Sequence, residues 1–116
     1  MLITFCKSKI AKAKITEAQL YYEGSIAIDE AILKAAGIVP GEKVEILNIN
    51  NGSRIETYAI AGKADSGQIC LNGPAARFGC VGDDLIILSY GLVDQEEAKK
   101  LKTKVVYLNA HNKVKD

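Results

Sequence analysis

The chain has 116 residues and a mass of 12.5 kDa, a length typical of one domain. Hydrophobic residues make up 48% of it and charged residues 25%, a composition that is typical of globular proteins and argues against disorder. Fifteen Lys and Arg against fourteen Asp and Glu leave a formal net charge of +1, so charge gives no reason to expect binding to nucleic acid or to a membrane.

A strand and a short helix are predicted first. Residues 2–10 alternate loosely between apolar and polar side chains, which is the pattern of a strand. Asp29 is a good helix N-cap, the apolar residues after it have helical spacing, and Gly37 is placed to end the helix. We therefore predict a helix over residues 29–36.

A β-hairpin follows the helix. The dipeptide at 51–52, Asn-Gly, is a strong turn signal between predicted strands over residues 44–49 and 55–60. The later predicted elements are a strand over residues 68–71, one helical turn over 75–78, a strand over 85–88 that is apolar enough to be buried on both faces, a helix over 94–102 and a strand over 105–108.

An internal repeat indicates how these elements are arranged. Residues 41–48 resemble residues 82–89, and each copy follows a short Ala-rich stretch and a glycine. Duplicated short β units joined by brief helices favour a closed barrel with pseudo-twofold symmetry. Because a glycine and an acidic residue often precede a strand, the repeat supports a barrel without proving it.

The counts of His and Cys exclude several kinds of site. The single histidine, His111, argues against a His-centred triad or a multi-His metal site, so no metal site is predicted. Cys6, Cys70 and Cys80 fit neither a disulfide framework nor a metal knuckle, and we expect three free thiols in apolar surroundings. Free thiols, with no signal peptide and no apolar run that approaches a membrane span, predict a cytoplasmic protein.

The dipeptide Gly24-Ser25 is the first candidate for chemistry. A serine hydroxyl after a strained glycine can attack the Gly24 carbonyl and convert the amide into an ester. Elimination would then release a carboxylate at Gly24, and the dehydroalanine left at position 25 would hydrolyse to a pyruvoyl group. For this dipeptide alone, a simple turn is by far the commoner explanation.

The return strand of the hairpin is the second candidate. Its alternation places Arg54, Glu56 and Tyr58 on one face, so that a fork for carboxylates lies on the same face as a phenol. The same pattern is typical of a solvated face with an Arg–Glu ion pair. Lys9 belongs to a run of cations that is usually solvated, and Asn72 starts what is usually a turn, although an Asn amide can also bind an oxyanion.

Taken together, these segments resemble the bacterial aspartate 1-decarboxylase family. The resemblance extends to about residue 108, and it rests on the order of several short motifs rather than on any one of them. The motifs are Ser8-Lys9-Ile10, Tyr22-x-Gly24-Ser25-Ile26-x-Ile28-Asp29, Asn51-Gly52-x-Arg54-x-x-Thr57-Tyr58-x-Ile60, Asn72-Gly73-x-Ala75-Ala76 and Gly82-Asp83-x-x-Ile86-Ile87.

This resemblance implies a mainly β fold, a double-psi β-barrel with short helices that spans residues 1–116. It implies a homotetramer with sites between subunits, and a proenzyme that cleaves itself after Gly24 into chains 1–24 and 25–116. The implied reaction is decarboxylation of L-aspartate to β-alanine and CO₂, through an imine with the pyruvoyl group formed from Ser25. That reaction feeds pantothenate biosynthesis.

The resemblance also implies roles for individual residues. Tyr58 is implied as the proton donor, Thr57 as an aid to self-cleavage that also contacts substrate, and Lys9 and Arg54 as partners of the substrate carboxylates. The implied shell around the substrate and the pyruvoyl group is completed by Asn72, Gly73, Ala75 and Ala76, with Tyr22 as a weaker candidate.

One departure from the family pattern leaves an alternative open. Many members have His-Arg where this chain has Ala11-Lys12. The alternative is a barrel that no longer processes itself and serves in oligomeric assembly or ligand binding. A third hypothesis, a swapped-hairpin barrel that binds DNA, is disfavoured by the near-neutral charge.

Overall fold

A computed structural model describes residues 1–115 of the chain, which are mainly β with short helices, as predicted. The strands are β1 (Leu2–Lys14), β2 (Glu17–Gln19), β3 (Ser25–Asp29), β4 (Lys43–Asn48), β5 (Arg54–Gly62), β6 (Ile69–Asn72), β7 (Asp84–Asp94) and β8 (Lys104–Tyr107). The helices are α1 (Glu30–Ala36), a 3₁₀ helix (Gly73–Phe78) and α2 (Gln95–Ala98).

The strands close into a barrel. Their order is β2-β6-β3-β5-β4-β7-β1-β8, so β1 and β2 lie near opposite ends of the sheet. Only Ile15 and Thr16 separate these two strands along the chain, and the Thr16 amide donates a hydrogen bond of 2.8 Å to the Ile69 carbonyl. One nearly continuous extended segment therefore joins the two ends of the sheet.

The two halves of the barrel repeat each other. The turn at residues 41–42 exchanges two backbone hydrogen bonds with Ala59, of 2.7 and 3.0 Å, and the turn at residues 82–83 exchanges two with Ile15, of 2.8 and 3.0 Å. The glycines that open these turns have φ angles of +92° and +94°, which favour glycine over any residue with a side chain.

Strand pairing follows the same symmetry. β5 pairs antiparallel with β4 and parallel with β3, while the β1–β2 segment pairs antiparallel with β7 and parallel with β6. Two interlocked units of this kind form the double-psi β-barrel that the resemblance implies, and the pseudo-twofold repeat predicted from residues 41–48 and 82–89 is confirmed.

The pattern of burial corrects one prediction. Leu85 and Ile87 of β7 are fully buried, but Ile86 and Leu88 alternate with them and are only half-buried, because the outer face of the barrel wall lies toward solvent. The prediction that this run is buried on both faces was wrong. The strands buried on both faces are β3 and β6, and β3 was not predicted from the sequence.

Other predictions are confirmed in outline. The side chain of Asp29 caps α1, and Gly37 ends it with a φ of +70°. The hairpin is present as β4 and β5. The helix predicted over residues 94–102 is reduced to Gln95–Ala98, which has no buried residue and so no apolar face to lengthen it.

The three thiols differ in their surroundings. Cys70 is buried and Cys6 is half-buried, but Cys80 is exposed, so the prediction of apolar surroundings was wrong for Cys80. Within residues 1–115 no helix is long and apolar enough to cross a membrane. The same residues contain no group of three or more His, Cys, Asp or Glu side chains that could hold a metal ion.

Asp29 fastens the end of β3 to two neighbouring segments. Its carboxylate, in a residue only 1% exposed, accepts backbone hydrogen bonds from Ala31 at 2.8 Å, Asp65 at 2.9 Å and Gly67 at 2.8 Å. Burial alone would raise the pKa of Asp29. These donors and the charge of Lys113 outweigh burial and hold the pKa below its usual value of 3.8.

We expect Asp29→Asn to lower the free energy of unfolding by about 2 kcal/mol at neutral pH, because the amide replaces one acceptor oxygen with a donor that faces backbone N–H groups. Since the folded-state pKa is lowered, the stability due to the carboxylate is fully present above pH 3.8 and is lost as the pH falls through the folded-state value. Urea unfolding across the acid range measures both effects. The exposed Asp65→Asn is the control, and equal stability of the two variants would contradict the assignment.

Candidate functional site

Ser25 begins β3 and its side chain is held inside the barrel. The residue is 1% exposed and lies directly opposite Asn72 of β6, whose side-chain Nδ2 donates a hydrogen bond of 3.1 Å to Ser25 Oγ. On the other side β5 runs parallel, with Ile26 opposite Ala59, so Tyr58 lies in register beside Ser25. Neighbouring strands therefore place Asn72 and Tyr58 on either side of Ser25 along the sheet, with the Asn72 amide in contact with the serine hydroxyl.

Gly73 allows the segment before Ser25 to pack closely. It has a φ of +66°, and a Cβ at this position would lie 2.6 Å from the Tyr22 carbonyl oxygen and 2.9 Å from the Gly24 Cα. Both observations require glycine. The start of the 3₁₀ helix thus contacts the backbone on the amino-terminal side of the Gly24–Ser25 peptide.

A groove of about 250 Å³ adjoins this peptide. It brings Gly24 together with the half-buried Thr57 and with Tyr58, which is 41% exposed. Ala75 also borders the groove, whereas Ala76 packs against the core. The other residues around the groove are Ile55, Glu56, Pro74 and Phe78. Several side chains predicted for the site are therefore gathered around one peptide bond.

The β4–β5 hairpin holds the 3₁₀ helix in place beside the groove. The carbonyl of Phe78, at the end of that helix, accepts hydrogen bonds from Asn48 Nδ2 at 3.0 Å, Asn51 Nδ2 at 2.9 Å and Ser53 Oγ at 3.4 Å. The same hairpin carries Thr57 and Tyr58. The two walls of the groove are thus fixed to each other.

The two predicted carboxylate partners lie elsewhere on the chain. Arg54 is on the outer face of β5, and its Nη1 donates to Glu45 Oε1, which also accepts a hydrogen bond of 3.1 Å from the Tyr90 hydroxyl. Lys9 is on β1, three strands from β5 in the sheet, or about 14 Å at the usual spacing between strands. A single chain does not bring Lys9 and Arg54 into the groove beside Gly24.

The outer face beside Glu45, the partner of Arg54, forms a larger groove of about 530 Å³. Lys43 and Glu56 form an ion pair of 2.8 Å there, and the hydrogen bond to Glu56 raises the pKa of Lys43. Burial, together with the hydrogen bond to Glu45, raises the pKa of Tyr90. This face is charged and its ions are already paired within the chain.

Two contacts were not predicted from the sequence. Arg54 pairs with Glu45 of β4 rather than with Glu56 of its own strand. The Cys70 thiol donates a hydrogen bond of 3.2 Å to Asn72 Oδ1. Residues 70 and 72 share one face of a strand, so their spacing is consistent with that contact. The pairing of β4 with β5 that brings Glu45 near Arg54 depends on register across the hairpin.

Comparison with known proteins identifies the family. The model of the family described as aspartate decarboxylase matches residues 1–115. The chain belongs to this family. It is 50% identical over 116 residues to the aspartate 1-decarboxylase of Clostridium beijerinckii, covering 100% of this chain and 94% of the relative. It is 52% identical over 114 residues to that of Cytophaga hutchinsonii, covering 98% of this chain and 99% of the relative.

A third relative, the aspartate 1-decarboxylase of Acetivibrio thermocellus, is 54% identical over 114 residues, which cover 98% of this chain and 90% of the relative. Among solved structures, the computationally designed msDPBB_sym2 protein matches with a TM-score of 0.49 at 16% identity, covering 77% of this chain and 99% of that chain. The resemblance predicted from the ordered motifs is confirmed by the family match and by the relatives.

We expect Gly73→Ala to lower the free energy of unfolding by about 1–3 kcal/mol, because alanine is strained at this φ and its Cβ would contact the Tyr22 carbonyl. Urea unfolding measures the change. Gly91→Ala is the matched control, since nothing lies within 4 Å of a Cβ there, and we expect a change of less than about 0.5 kcal/mol. Equal stability of the two variants would show that the close packing of Gly73 is unimportant.

Proposed function

We propose that the chain is a self-processing aspartate 1-decarboxylase, which converts L-aspartate to β-alanine and CO₂ with a pyruvoyl group made from Ser25, and so feeds pantothenate biosynthesis. The observation that carries this proposal is the buried Ser25 hydroxyl, held at 3.1 Å by Asn72 beside the groove of Gly24 and Tyr58. Membership of the aspartate decarboxylase family supports the choice of substrate.

In the proposed cleavage, Ser25 Oγ attacks the carbonyl carbon of Gly24 through a five-membered ring. The C–N bond breaks, the hydroxyl proton passes to the nitrogen, and an ester results. Loss of the Cα proton of residue 25 with breakage of the Cβ–Oγ bond releases the Gly24 carboxylate and leaves dehydroalanine. Addition of one water then releases ammonia and leaves a ketone, so the products are chains 1–24 and 25–116.

The residues around Gly24 suit these steps. The Thr57 hydroxyl borders the same groove as Gly24 and is proposed to stabilise the negative charge that develops on the Gly24 carbonyl oxygen. The Asn72 amide donates to Oγ, the atom that carries charge when the Cβ–Oγ bond breaks. Gly73 supports the backbone on the amino-terminal side of the bond that is cut.

The surroundings of Ser25 also fit a small ketone at this position. Asn72 offers one N–H donor at the serine oxygen, and the small side chain of Ala75 borders the adjoining groove. Once formed, the pyruvoyl group supplies an electron sink for the bond between the substrate α-carbon and its carboxylate. Tyr58 lies in register beside residue 25 and is proposed to deliver the proton to the former α-carbon.

Recognition of aspartate requires partners for two carboxylates. Arg54 offers a fork of N–H donors and Lys9 offers a compact charge, which suits a dianion. Because these residues lie away from the groove of one chain, we propose a homotetramer in which a neighbouring subunit completes each site. In that arrangement Glu45 must share or release the Arg54 guanidinium when substrate binds.

Intact mass spectrometry of the purified protein tests the self-cleavage. We expect the wild type to give chains 1–24 and 25–116, the larger with a keto group in place of its amino terminus, and Ser25→Ala to stay whole while folded. Ser89→Ala, which removes another fully buried serine hydroxyl, is the control and should still cleave. A wild type that stays whole on storage and forms no β-alanine would favour the non-catalytic barrel instead.

Tyr58→Phe separates processing from turnover. We expect this variant to cleave after Gly24 at the wild-type rate but to form β-alanine about a hundredfold more slowly, since a general acid commonly contributes 10²–10⁴-fold. Chromatographic assay of β-alanine gives the rate. Tyr107→Phe, on the exposed face of β8, should leave both steps unchanged. Normal turnover in Tyr58→Phe would remove Tyr58 from the role of proton donor.

A further inference from the structure

A buried chain of hydrogen bonds continues from Ser25 through Asn72 to Cys70. The Cys70 thiol donates to Asn72 Oδ1 at 3.2 Å, and Asn72 Nδ2 donates to Ser25 Oγ at 3.1 Å. Cys70 is 2% exposed, Asn72 4% and Ser25 1%, so water does not compete freely for these groups. Each contact depends on the pairing of β6 with β3, which sets Asn72 opposite Ser25 and Cys70 opposite the small Ala27.

An asparagine amide has two ends of nearly the same shape and opposite chemistry. If the NH₂ end faces Ser25, it donates to Oγ and favours negative charge on that atom. If the carbonyl end faced Ser25, it would repel the same charge. The side chain that meets the far end of the amide therefore decides which end the serine meets.

We propose that Cys70 is a positioning residue for self-cleavage, because its thiol fixes the Asn72 amide with the NH₂ end toward Ser25. This inference rests on the proposed function, in which Oγ leaves Cβ as part of the Gly24 carboxylate. The Cys70 Sγ lies 3.2 Å from Asn72 Oδ1 and 3.9 Å from the Leu71 carbonyl oxygen, so the contact with Asn72 is the shorter one. Cys70 acts on Ser25 only through Asn72, and its effect is therefore indirect.

The state of the thiol agrees with this role. Burial, followed by the charge of Glu17, raises the pKa of Cys70, which keeps the sulfur protonated and able to donate. A thiolate would only accept hydrogen bonds and would favour the reversed amide. The Cys6 thiol contacts the Ser8 carbonyl at 3.7 Å and has no comparable link to Ser25.

Two substitutions separate hydrogen bonding from packing. Cys70→Ser keeps a hydrogen-bond donor, but the serine side chain is smaller and more polar than that of cysteine. Cys70→Val fills the space of the thiol but has no hydrogen-bond donor. If the donor matters, Cys70→Ser cleaves within about twofold of wild type and Cys70→Val cleaves roughly tenfold more slowly, a loss typical of one hydrogen bond. If only packing matters, the order is reversed.

The experiment follows the fraction of full-length protein cut after Gly24 by intact mass spectrometry, with Cys6→Ala as the control and thermal unfolding to show that each variant is folded. Hydroxylamine, which cuts esters but not ordinary amides, should release more of chain 1–24 from Cys70→Val, since the slowed step is the elimination that follows the ester.

Equal rates for the Ser and Val variants, or faster cleavage by Cys70→Val, would overturn the inference. A wild type that does not cleave would overturn the proposed function together with it, whereas a wild type that cleaves alongside equal variants overturns the inference alone.

Discussion

The hydrogen bond between Asn72 and Ser25 exists because β6 and β3 pair antiparallel with these two residues directly opposite each other. A shift of one residue in that register would turn Asn72 to the other face of its strand. Both strands are buried on both faces, so Ile26, Ile28 and Leu71 hold the register by packing in the core. The position of the reactive hydroxyl is thus a consequence of core packing rather than of a surface loop.

The two halves of the barrel contribute different parts to the candidate site. One half supplies β3, and therefore Ser25, and continues directly into α1 through the Asp29 cap. The other half supplies β6, and continues into the 3₁₀ helix through Gly73. The hairpin strand β5 lies against β3 and adds Thr57 and Tyr58. The candidate site lies where the two halves meet. The backbones of the two halves are related by symmetry there, but their side chains differ.

The cations of the candidate site lie apart from the groove beside Gly24. That groove is bordered mostly by small, apolar and hydroxyl side chains and by Glu56, whereas Arg54 and Lys43 lie on the outer wall, where Lys43 pairs with the same Glu56. The buried serine is kept away from bulk solvent, and the side chains of Lys43 and Arg54 are solvated on the outer wall of the barrel. Because Lys9 and Arg54 do not line the groove, the proposed homotetramer completes each site with residues of a neighbouring subunit.

Local signals in the sequence were enough to predict the α1 cap, the Asn51-Gly52 turn and the alternation of β5, since each of these depends on residues that are neighbours along the chain. β3 was missed because its run of buried residues has no alternation and leads straight into a helix. The order of motifs identified Ser25 and Tyr58 as candidates. The contacts of Glu45 and Cys70 could not be predicted, because they depend on the register of strands and on how side chains turn within it.

The most direct test of this account is a crystal structure of the purified wild-type protein. We expect a break in the chain after Gly24, a residue 25 without its amine and hydroxyl, and the Asn72 amide nitrogen within hydrogen-bond distance of the new ketone oxygen. Continuous density through residues 24 and 25, with an intact serine whose hydroxyl points away from Asn72, would contradict it.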